Sequence, residues 1–130
     1  MEAKDLMIGD YVYNHRNWEC PIVEIHKNSA IVIARHYGEE EFLLSDLRPI
    51  PLTTEILEKN GFDISDPEVK QYHFEEDGQR YHFSLRQMYN KDNKPDGYSF
   101  FAFSVLTIID YVHQLQHAFK LCGITREIII

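Results

Sequence analysis

The dipeptide Asp77-Gly78, flanked on both sides by alternating residues, constrains this chain more than any other feature. A two-residue hairpin loop of the type I′ class needs positive φ, and Asp-Gly adopts it readily. Placing the pair in the loop sets the register of the strands around it. Glu76 faces Gln79, Glu75 faces Arg80, Phe74 faces Tyr81, His73 faces His82, and Tyr72 faces Phe83. One face then carries Tyr72, Phe74, Tyr81, Phe83 and Leu85, an aromatic surface that needs a cover. The other carries Glu75 and Arg80, a favourable cross-strand charge pair. After the polar loop from Asn90 to Gly97, the segment Tyr98 to Ser104 reads as a third strand. A three-stranded antiparallel sheet is therefore expected.

The expected cover is a C-terminal helix. Ile108, Val112, Leu115, Phe119 and Cys122 recur at spacings of four, three, four and three, with Ile109 and Ala118 widening the stripe. Asp110, His113, Gln114, His117 and Lys120 point away from that stripe, and Gly123 ends the helix. The apolar tail Ile128–Ile130 must be buried or paired, because an exposed apolar end invites association.

The first fifty residues show no 3.6-residue period. Met7 to Asn14, Pro21 to Lys27, Ala30 to Arg35 and Glu41 to Leu44 read as short strands separated by turns, with a closing strand near Pro49-Ile50. In Pro21 to Lys27 the alternation puts Val23 and Ile25 on one face. Evenly spaced short strands suggest a small barrel or sandwich. So short a segment buries little apolar area alone, so the barrel is expected to lean on the rest of the chain. Pro49 to Leu52 is a stiff connector. Thr53 or Thr54 caps a short helix from Glu55 to Asn60, and Gly61 stands beyond its end.

The expected architecture is thus α+β: an N-terminal SH3-like small β-barrel over residues 1–52, then residues 53–130. The second stretch holds a short linking helix and a three-stranded antiparallel sheet covered by a C-terminal helix, the whole packed with the barrel as one unit. Composition narrows the class. Of 130 residues, 13 are basic and 21 acidic, giving a net charge of −8, which disfavours wrapping a nucleic acid held by Lys and Arg. Seventeen aromatic residues, eight Tyr, eight Phe and one Trp, argue against a disordered chain. The longest apolar run, Phe100 to Ile109, falls short of a membrane span, and Met1 to Asp10 lacks the basic flank of a signal peptide. Two cysteines, Cys20 and Cys122, make neither a disulfide framework nor a four-ligand zinc site. A cytoplasmic protein without membrane contact is expected.

Three stretches in order carry a resemblance. They are the opening IGDYV, then Asp46-Leu47-Arg48-Pro49-Ile50-Pro51-Leu52-Thr53 with Glu55 and Gly61-Phe62 after it, and Tyr111-Val112-His113-Gln114-Leu115-Gln116 with Gly123 just beyond. Together they resemble a family of small uncharacterised proteins of Bacteroides-type bacteria and their prophages, across nearly the whole chain. The resemblance implies an intracellular, prophage-related protein and transfers no activity and no catalytic residue. The front half is also similar to SH3-like barrels, a fold used for many kinds of binding.

Few constellations bear on chemistry. His113 and His117 stand four apart on one helical face with Asp110 a turn earlier, a spacing that suits a metal. In HQLQH, however, Gln114 replaces the water-activating Glu of HExxH. His73 and His82, opposed in the hairpin, present two imidazoles to a metal or a proton; a wet sheet face is the plainer reading. Cys122 sits at the negative end of a helix and Cys20 beside Glu19, both the wrong electrostatics for a reactive thiolate. No Gly-rich phosphate loop and no GxSxG elbow occurs. Tyr11, Tyr13, Trp18 and Tyr37 lie at strand edges and loops where SH3-like barrels bind, with Arg16 and Arg35 near in sequence and the acidic run Glu39–Glu41 also near. The expected function is a non-enzymatic protein-binding or assembly module, engaging a protein partner or a second copy, with no cofactor. The alternatives are a metal-binding protein or metal-dependent enzyme using Asp110, His113 and His117, and nucleic-acid binding through the barrel.

Overall fold

Short β-prone runs broken by turns give the first fifty residues their strands: β1 (Tyr11–Tyr13), β2 (Glu19–Ile25), β3 (Ser29–Ile33), β4 (Glu39–Leu43) and β5 (Arg48–Pro49). The computed structural model describes residues 1–76, 78–101 and 105–130, excepting the side chains of 74, 76, 79, 81 and 105–107. Among the described residues α1 (Thr54–Lys59), β6 (Val69–Glu76), β7 (Gln79–Tyr89), β8 (Pro95–Phe101), β9 (Val105–Ile109) and α2 (Val112–Leu121) come next. The fold is α+β with two antiparallel sheets. The chain divides into two compact units, residues 1–51 with 111–127, and residues 52–110 with 128–130. No helix is long and apolar enough to cross a membrane among the described residues.

In the first unit the strands lie in the order β4-β3-β2-β1-β5. β4 and β5 are the two edges of this sheet, so among the described residues the strands of the expected small barrel form no closed barrel. Its core gathers Leu6, Val12, Cys20, Ile22, Ala30, Val32, Ala34, Leu44 and Leu47. A register shift between Ile22 and Glu24 turns the strand, so Cys20 and Ile22 are the buried positions of β2 and the Val23–Ile25 face is only half-buried. A bulge adds a residue to one strand and re-aims the side chains after it.

Helix α2, expected as the cover of the second sheet, falls in the first unit. It begins at Val112 with Tyr111 as its N-cap, not near Ile108. Ile108 and Ile109 are instead in β9, opposite Ser99 and Tyr98. The helix buries Val112, His113, Leu115, Ala118 and Phe119. Each fully buried aliphatic or aromatic side chain contributes roughly 1.5–3 kcal/mol. Polar side chains fasten it as well. Gln116 accepts from the Tyr11 N–H (3.0 Å) and donates to the Gly9 carbonyl (2.9 Å), and Lys120 donates to the Ile8 carbonyl (3.2 Å).

Among the described residues the second unit holds four strands in the order β6-β7-β8-β9, one more than expected. The β6–β7 register is the one the turn dictates: Glu75↔Arg80, His73↔His82 and Tyr72↔Phe83 are all paired. Asp77 lies outside the described residues; Gly78 has the positive φ, +77°, that such a turn demands. Arg80 and Glu75 meet at 2.6 Å. The third expected strand runs to Phe101, and its Ser104 end is outside the described residues. On the inner face Phe62, Tyr72, Phe83 and Phe100 stack in sequence, at centroid distances of 4.8, 6.4 and 5.5 Å. The side chains of Phe74 and Tyr81, expected on that face, are outside those described. Thr53 caps α1 by accepting from the Ile56 N–H (3.2 Å), and Leu57 and Phe62 are buried. The apolar tail is partly absorbed. Ile128 is buried, and Asn60 exchanges two hydrogen bonds with the Ile129 backbone as a strand would.

Candidate functional site

A buried asparagine builds the most distinctive surface of the first unit. Asn14 ends β1 fully enclosed, and its Oδ1 accepts from the N–H groups of Arg16 (2.9 Å) and Trp18 (3.1 Å). Its own N–H donates to the Trp18 carbonyl (3.1 Å), while its carbonyl accepts from Asn17 (3.0 Å). Asn17 takes φ +59°, a conformation asparagine tolerates better than most residues. These bonds close the loop between β1 and β2, which leaves Arg16 exposed and Trp18 half-buried. A single 3₁₀ turn between β3 and β4, Arg35–Tyr37, brings up the other half.

The Trp18 and Tyr37 rings stack at 5.6 Å, 22° from parallel. The Arg16 guanidinium lies over both, 5.1 Å from Trp18 and 4.7 Å from Tyr37, and Arg35 lies 4.8 Å from Trp18. Each such cation–π contact is worth about 0.5–1 kcal/mol at an exposed site. Tyr37 is 61% exposed, whereas Trp18 is half-buried against the core. Tyr13 carries an arginine too: Arg48 sits 5.6 Å from its ring and also donates to the Asn14 carbonyl and to Asn17 Oδ1. The structure therefore brings together Trp18 and Tyr37 from the expected set, and adds Arg48 and Asn14, which no local pattern marks. Tyr11 is half-buried and tied through its backbone to Gln116. Beneath this surface Cys20 is buried and its thiol pKa is raised by burial; Arg35 pulls it the other way, and Glu40 and Glu19 add to the rise. Cys122 is likewise raised by burial.

Of the residues expected to hold a metal, Asp110 lies before the N-cap and in the second unit, beside Gly97, while His113 and His117 are on α2 in the first. Among the described residues no three His, Cys, Asp or Glu side chains gather as a metal site. The carboxylate that meets His117 is Asp10, fully buried, with Oδ2 2.7 Å from His117 Nε2 and 2.8 Å from the Met7 N–H that donates to it. His113, expected on the wet face, is buried, its ring edge-on to His117 at 5.6 Å and parallel to Tyr111 at 5.9 Å. Both histidines line a cleft of about 470 Å³ with Lys4, Asp5, Tyr111 and Gln114. In the second unit the exposed rings of His73 and His82 stack at 4.2 Å.

Burial lowers the His113 pKa below the ordinary histidine value; His117 pushes the same way, and Asp10 and Asp5 oppose it. Linkage gives the sign. As pH falls below about 6.5 the unfolded chain protonates this side chain before the folded one does, so stability falls until the folded pKa is reached. His113→Gln should flatten that limb of the stability–pH curve, measured by urea unfolding between about pH 7 and pH 5. Parallel curves for the two proteins would refute the assignment. Compared with known proteins, the chain matches no family model, no curated protein and no solved structure.

Proposed function

We propose that this protein is a non-enzymatic binding module. Its first unit acts as an SH3-like, open small-barrel platform that engages a partner protein. One observation carries the reading: Trp18 and Tyr37 form a stacked pair at the surface with arginines laid on their faces. Trp, Tyr and Arg are the side chains that dominate protein interfaces, because each combines a large apolar face with a polar edge. A ring pair already stacked loses little freedom on binding, which favours affinity. Cys20 and Cys122, both free, suit a reducing cytoplasm.

The test is selection from a displayed random-peptide library. The protein should enrich a defined set of peptides, and Tyr37→Ala should abolish the enrichment while leaving the unfolding free energy from urea titration within about 0.5 kcal/mol of the parent, since this ring is mostly solvent-exposed. Failure to enrich any peptide, or undiminished enrichment by the variant, would discard the proposal.

A further inference from the structure

We infer that the partner segment is acidic: the Trp18–Tyr37 surface takes Asp or Glu side chains from a protein, with Arg16 and Arg35 as the receiving forks. The inference rests on the binding reading above and names the chemistry of what is bound. Three observations support it, all within the first unit.

The guanidiniums are ready and uncommitted. Arg16 and Arg35 are exposed, and among the described residues neither forms an ion pair. A guanidinium over a ring face still carries its planar fork of N–H donors, which can grip a carboxylate with two parallel bonds. Arg48 is different, since the Asn14 carbonyl and Asn17 Oδ1 already take its donors. Glu19 and Glu40 lie near enough to act on Cys20 alongside Arg35, yet neither closes on an arginine. A partner's carboxylate would find the forks free.

Arg35 also stands where arginine is a poor backbone choice. Its φ is +48°, in the left-handed region that favours glycine. A residue held in that region at a cost points to a use for its side chain. The turn needs a left-handed residue, but nothing in its backbone demands a cation. The cation faces Trp18.

Charge complementarity chooses between partners. Arginine with aromatic rings also suits single-stranded nucleic acid. A polyanion tracking across this surface meets Glu39, Glu40 and Glu41 of β4, in a chain of net charge −8. A peptide needs to place only one or two carboxylates on the forks, so it meets less of that repulsion than a continuous phosphate backbone does.

Two variants test this. Arg35→Gly removes the cation and relieves the positive φ, and Arg16→Gln removes the other charge. The peptides selected by the parent should be rich in Asp and Glu. Their affinity, read by fluorescence anisotropy with the selected peptide labelled, should fall about tenfold or more in either variant, as the loss of a charge-assisted pair implies. The melting temperature of Arg35→Gly should be unchanged or higher. Peptides selected without acidic bias, or full affinity in Arg35→Gly, would overturn the acidic assignment while leaving a binding module standing. No selected peptides at all would end the binding reading with it. Tighter retention of a single-stranded oligonucleotide than of any selected peptide, or a marked loss of stability in Arg35→Gly, would also overturn the inference.

Discussion

Truncating His117 to alanine is expected to cost about 1–3 kcal/mol, the penalty for taking a hydrogen-bond partner from a buried polar group. The reason lies in what is left behind. Asp10 is wholly enclosed, and apart from His117 its Oδ2 is met by the Met7 N–H. His117 itself is 22% exposed at its side chain, so its own desolvation is partial and the damage falls on the carboxylate. The helix also keeps its other fastenings, Gln116 on Gly9 and Tyr11, and Lys120 on Ile8. The loss should therefore be specific to the orphaned charge. Asp10→Asn, added to His117→Ala, replaces that charge with a neutral amide and should restore part of the stability. Urea unfolding of the parent, the single variant and the double variant measures it. If the double variant is no more stable than the single, the uncompensated carboxylate is not the cause.

This pair explains what the sequence makes legible and what it hides. The β6–β7 register can be read because two independent local signals, the demand of the turn and the two-residue alternation, agree over adjacent residues. The pairing of Asp10 with His117 spans 107 positions and leaves no periodic trace. Read locally, Asp10 is merely the partner of Gly9 in a turn, and His113 and His117 are polar residues on a helix face. The true helix start is hidden for a related reason. Ile108 and Val112 are four apart, which suits a helix, but Ile108 and Ile109 are also β-branched and pair with β8. A spacing of four cannot decide between one helix and a strand that ends just before one. Among the surface residues, the aromatic rings can be named from their places in loops and edges. Asn14 and Arg48 cannot, because they act through a loop closed on the Asn14 side chain and through a strand pair, Tyr13↔Arg48, that only the fold brings together. Asp110 resembles a ligand only while it is counted on the helix. Ahead of the helix it has another role, packed over a glycine.

That glycine carries the other large expected effect. Gly97→Ala should destabilise the protein by about 2–5 kcal/mol through two causes that add. Its φ is +71°, where a Cβ costs roughly 1–2 kcal/mol for an ordinary residue. The new methyl would also run into the Asp110 carboxylate, 3.1 Å from its Cγ, and stand 3.3 Å from the Ile109 carbonyl oxygen. The backbone there is not free to retreat. Gln87 donates to the Gly97 carbonyl (2.9 Å), Tyr98 pairs with Ile109, and Leu52 donates to the Asp110 carbonyl (3.0 Å). Overpacking against so fixed a wall costs about 1–3 kcal/mol by itself. The two causes separate in a second background: Asp110→Ala removes the obstructing carboxylate, so Gly97→Ala introduced there should lose only the backbone part. Equal losses in both backgrounds, by thermal or urea unfolding, would show that Asp110 does not press on this glycine and that the positive φ alone sets the cost.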